Sequence, residues 1–215
     1  MPSCNHVIGS AQTPLTRGRA STLKVVLAIN GLMFLALAAA GLWADSSALL
    51  ADSADNLGDA FVYAISLYVA YRSLRWRAGA AFIKGLIQLA FGLGIVIGIV
   101  IKLLGQPEPV GIAIMAVAAI ALIANLICLM LLKRHRGEDV NMRSVWLCSR
   151  NDVIGNLAVI VSGAAVWLTG SFWPDLFVAT LLALVFLHTS YEVLRDSMRA
   201  WATGADQSSP TRRAG

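Results

Sequence analysis

Charge is scarce in this sequence. Asp, Glu, Lys and Arg make up 13% of its 215 residues and 58% are apolar; a soluble domain carries about 25% charge. That shortage excludes an ordinary water-soluble domain. Cysteine is also rare. Cys4, Cys128 and Cys148 are odd in number and two lie in apolar runs, which excludes a disulfide framework. Histidine is limited to His6, His135 and His188. No HExxH pair and no Ser or His set beside a base occurs, so nothing marks the chain as an enzyme. The net charge is +5, yet no basic patch is interleaved with aromatics, so no nucleic-acid partner is read. Residues 1–22 lack the short apolar core and cleavage site of a signal peptide.

Long apolar runs are what the chain does have. A membrane span needs about 20 apolar residues. Six such segments are expected, at about residues 24–43, 47–71, 80–104, 109–132, 144–168 and 174–194. Gly105, Pro107 and Pro109 break the chain after the third, and Gly170 and Pro174 after the fifth. Basic residues then orient the spans. Arg17, Arg19, Lys24, Arg72, Arg75, Arg77, Lys84, Lys133, Arg134, Arg136, Arg143, Arg195, Arg199, Arg212 and Arg213 fall on one side, and Lys102 on the other. Positive charge stays cytoplasmic, which puts both termini inside. The expected fold is therefore all-α: a polytopic membrane protein of six transmembrane helices with both termini cytoplasmic. Residues 1–22 and 201–215 read as short flexible cytoplasmic tails around a six-helix domain at 23–200.

Within these spans stand acids that a lipid-facing helix would not carry. Asp52, Asp55 and Asp59 recur at i, i+3 and i+7, so a helix places them on one face. Cys148, Asn151 and Asp152 repeat the pattern in the fifth span. An acid near the bilayer centre costs about 2.5–3.5 kcal/mol on insertion scales. Asp59 lies about 18 Å and Asp152 about 12 Å from the inner ends of their spans, close to the midplane. The second and fifth spans run antiparallel, so Asp55, Asp59, Asp152 and Cys148 can converge. Three carboxylates and one thiolate suit a four-coordinate divalent metal. Crowded acids in low dielectric hold protons when empty, and metal binding must displace them. A site alternating between the two faces then exchanges metal for protons. A proton path without metal, or helix packing by polar groups, are the plainer readings of the same residues.

The second-span stretch Leu49-Leu50-Ala51-Asp52-Ser53, Asn56-Leu57 and Asp59 resembles the cation diffusion facilitator family. So does Asp152-Val153-Ile154-Gly155-Asn156 in the fifth span, and Asn30 in the first. The resemblance covers about residues 24–200. It implies divalent-metal/proton antiport, with Zn²⁺ or a related ion such as Cd²⁺ or Co²⁺ as cargo. It implies no prosthetic group, a homodimer in the lipid bilayer, and a bacterial inner-membrane location. The family pattern has His or Asp at the position of Asp55, and His at the position of Cys148. A thiolate there is a softer ligand; alternatively the ligand is lost and Asn151 or Asn156 supplies oxygen. Many members carry a cytoplasmic domain after the sixth span, and only about 20 residues follow it here, so a short form is expected. An exporter of organic cations coupled to protons, or a non-transporting metal-binding membrane partner, are the competing functions.

Other positions carry weaker signals. Asp52 is a ligand or a neighbour at the outer mouth. His188 is expected to bond a neighbouring helix. Arg150 pairs with an acid or snorkels to the inner interface. Gly94-x-x-x-Gly98 permits close approach within the chain or to a second copy. Cys4 and His6 in the tail, and His135 in a loop, read as ordinary solvated residues.

Overall fold

The computed structural model describes residues 17–68, 74–105, 108–135 and 140–206. Six helices account for nearly all of them: α1 (Arg17–Trp43), α2 (Ser47–Tyr68), α3 (Leu74–Gly105), α4 (Gly111–Lys133), α5 (Val140–Thr169) and α6 (Trp173–Asp206). No strand occurs among the described residues. All except α2 are long and apolar enough to cross a membrane. The exception is the helix with the acids. Its 22 residues span about 33 Å, long enough for a bilayer core. Leu32, Leu42, Leu104 and Leu168 point outward, more than 60% exposed, where water would penalise them and lipid would not.

Several helices start earlier or end later than the expected spans; α3 begins at Leu74 and α5 at Val140. Helix α1 begins at Arg17 and α6 runs on to Asp206, so parts of both expected tails are helical. A bilayer limits only the apolar length, whereas a helix continues while its backbone bonds and packing persist. Cys4 and His6 lie outside the described residues.

The helices associate mainly as the pairs α1–α2, α3–α6 and α4–α5. Helix α2 also touches α3, α5 and α6, which makes it the most central. Leu37 of α1, Leu49 of α2, Ile114 of α4, Val159 of α5 and Ala179 of α6 share one buried cluster. Close approach of α4 to α5 depends on glycine. A Cβ on Gly111 would lie 2.7 Å from the Gly163 carbonyl oxygen and 2.7 Å from the Trp167 nitrogen.

One end of the bundle is tied by polar contacts. Asp45 turns the chain between α1 and α2 with φ 51°, a conformation Asp tolerates. Lys102, at the end of α3, donates to the Asp45 carbonyl at 2.6 Å and pairs with its carboxylate at 2.7 Å. Val110 N–H, at the start of α4, donates to the Ala44 carbonyl at 3.1 Å. Asp175 of α6 caps α2 from outside its own helix. It accepts from the Ser46 hydroxyl at 2.5 Å, Ser47 N–H at 2.7 Å and Ala48 N–H at 3.3 Å. The first N–H groups of any helix lack internal partners, and a carboxylate there also complements the helix dipole. Replacing Asp175 by Ala should lower stability by about 1–2 kcal/mol. Thermal unfolding in detergent checks this, and an unchanged midpoint would contradict it.

Candidate metal centre

The acids of α2 occupy its inward face because the helix repeat leaves them no other. Asp52 and Asp59 are buried and Asp55 is partly exposed. Two groups hold this face in shape. Asn56 donates to the Asp52 carbonyl at 2.9 Å, and Tyr63 donates to Asp59 Oδ2 at 2.7 Å. On α5, Asp152 is buried, and Asn156 donates back to the Asp152 carbonyl at 2.9 Å, repeating the α2 arrangement. Asp152 lies within hydrogen-bonding reach of both Asp55 and Asp59. Two carboxyl groups at such range need a proton or a cation between them.

The structure thus brings together Asp55, Asp59 and Asp152, meeting in pairs around Asp152. Among the described residues, no three His, Cys, Asp or Glu side chains form a ready metal cage. Cys148 lies on α5, one turn before Asp152, and its side chain is outside the described residues. Three oxygens on the same two helices are buried and unbonded: Asp52 Oδ2, Asn56 Oδ1 and Asn156 Oδ1. Asp52 therefore belongs to the buried polar face and has one oxygen uncommitted.

Sequence reasoning missed two residues of this region. Lys84 and Gln88 of α3 are 6% and 5% exposed. Lys84 is near enough for its charge to act on Asp59 and Asp55. Gln88 packs where Gly58 has no side chain, its amide 3.7 Å from the position a Cβ would take. Their i, i+4 spacing was a signal, but Lys84 looked like one more topology-setting cation.

Other singled-out residues lie apart from the acids. His188 is exposed and pairs with Glu192 on its own helix at 3.5 Å, not with a neighbouring helix. Arg150 is exposed and sits over the Trp146 ring at 5.9 Å. His135 engages Thr22 and Arg134 where the start of α1 meets the end of α4. Asn30 of α1 donates to Cys128 of α4 at 3.8 Å, a packing contact. Gly94 and Gly98 contact no other helix; they line an apolar cavity of about 490 Å³ between α1, α2 and α3.

Comparison with known proteins identifies the family. Residues 23–200 match the family model for the cation efflux transmembrane domain. The metal cation efflux system protein CzcD of Cupriavidus metallidurans is 25% identical over 199 residues, covering 87% of this chain and 63% of the relative. The zinc transporter ZitB of Yersinia pestis is 26% identical over 200 residues, covering 86% and 64%. A cadmium, cobalt and zinc/H⁺–K⁺ antiporter of Bacillus velezensis is 23% identical over 215 residues, covering 93% and 66%. The chain spans just under two thirds of the length of these relatives. Through that transmembrane domain it belongs to the cation efflux, or cation diffusion facilitator, family.

Proposed function

We propose that the protein exports a divalent metal cation, Zn²⁺ or a related ion such as Cd²⁺ or Co²⁺, in exchange for protons. The observation that carries this reading is Asp152 of α5 within reach of Asp55 and Asp59 of α2. Such a cluster accepts either protons or a metal ion, and each displaces the other. The names of the relatives, metal efflux and zinc transport among them, support the same cargo. Cys148 is the proposed fourth ligand, one helical turn from Asp152. In this reading all six helices span the bacterial inner membrane with both termini cytoplasmic, and two copies form the working unit.

An organic cation is the poorer cargo. The cavity beside Phe34 and Phe91 has apolar walls, and its charged lining residue is Lys102, which repels a cation.

Proteoliposomes holding a pH dye test the exchange. Zn²⁺, Cd²⁺ and Co²⁺ should enter with counterflow of protons, and Mn²⁺, Fe²⁺ and Ni²⁺ complete the series. If no metal moves, the exporter reading fails, and a non-transporting binding partner takes its place. Metal movement without proton counterflow would remove the antiport.

A further inference from the structure

We propose that Lys84 is a tethered cation that competes with the transported metal for the carboxylates of α2. The inference rests on the metal-centre reading above and adds a residue from a third helix to it. Helix α3 turns Lys84 and Gln88 toward α2, and both side chains are more than nine-tenths buried. Gly58 stands between Asp55 and Asp59 in the chain, and its missing side chain lets the Gln88 amide reach α2. Lys84, one turn away on the same face of α3, is near enough for its charge to act on Asp59 and Asp55. The next residue, Gly85, is held to α6, where the Ser190 hydroxyl donates to its carbonyl at 2.9 Å. That contact fixes the backbone from which the buried Lys84 side chain extends.

A topology-setting cation belongs at the water interface. Lys84 instead lies about 6 residues, or about 9 Å, inside the apolar part of its helix, which begins at Ala78, and is buried there. A cation inside a span is costly unless acids face it. Its presence beside Asp55 and Asp59 has a direct consequence. Each carboxylate already feels the charge of a cation tethered to the chain, so an incoming metal is held less tightly. Conduction and transport both need a bound ion to depart, which favours moderate over maximal affinity. Gln88 Oε1 on the same face of α3 is buried and without a partner.

The test compares metal affinity in the purified 215-residue chain, by calorimetry with Zn²⁺ in detergent at fixed pH. Lys84→Met should bind at least about tenfold more tightly than the unsubstituted chain, because one repulsive charge is gone. Lys84→Arg keeps the charge and should stay within about threefold. In proteoliposomes Lys84→Met should lower KM and kcat together, since tighter binding slows release. Lys84→Gln carries the same expectation and covers misfolding of the Met variant. A purely structural lysine predicts the opposite sign, with weaker binding after its loss. Equal or weaker binding in Lys84→Met and Lys84→Gln overturns the inference alone. Absence of saturable Zn²⁺ binding by the unsubstituted chain sinks the metal-centre reading and the inference with it.

Discussion

Asp59→Asn should abolish metal flux, by about 100-fold or more. Asp59 is buried, receives the Tyr63 hydroxyl at 2.7 Å and lies within reach of Asp152. An amide keeps the shape of the carboxyl but removes its charge, so a divalent ion loses one anionic partner in low dielectric. Tyr63→Phe should have a smaller effect, about tenfold on metal affinity, because it only frees Asp59 to turn. Flux into proteoliposomes, set beside binding in detergent, separates the two. Unchanged flux in Asp59→Asn would remove that residue as a ligand. At Cys148, substitution by His should change the order of preference among Zn²⁺, Cd²⁺ and Co²⁺ if the thiolate touches the metal. An identical metal order in Cys148→His would take the sulfur out of the centre.

The second large effect concerns the fold. Gly111→Val should destabilise the protein by about 3 kcal/mol or more, the upper range of core overpacking. The obstructing atoms at 2.7 Å are the backbone oxygen of Gly163 and the backbone nitrogen of Trp167, which cannot rotate away. Helices α4 and α5 would have to separate, and α5 carries Asp152. Gly94→Ala provides the contrast, since nothing lies within 4 Å of the added carbon. Thermal unfolding in detergent should show a large fall in midpoint for Gly111→Val and almost none for Gly94→Ala. Equal midpoints would mean that the α4–α5 contact does not limit stability.

Helix positions were legible because apolar run length and breakers act locally. The expected boundary between the first two spans, residues 43 and 47, coincides with the end of α1 and the start of α2. The far end of α6 was not legible, because lipid thickness bounds an apolar run and not the helix that contains it. The shared face of Asp52, Asp55 and Asp59 followed from the helical repeat alone. Asp175 was hidden for a different reason. An acid in the first turn of a helix ordinarily serves that helix, and this one caps α2 instead. His188 and Arg150 went the same way: spacing could not tell that one would pair along its own helix and the other stack on Trp146.

The sequence by itself determined an all-helical membrane chain with intramembrane acids on two segments, because periodicity and composition need no knowledge of neighbours. Tertiary structure alone decided which helices face each other. It put Asp152 against Asp55 and Asp59, and it turned Lys84 and Gln88 toward the same acids. The physical reason is that contact between helices depends on close packing at sites such as Gly58, Gly85 and Gly111. Those contacts join residues far apart in the chain, and no periodicity along it encodes them.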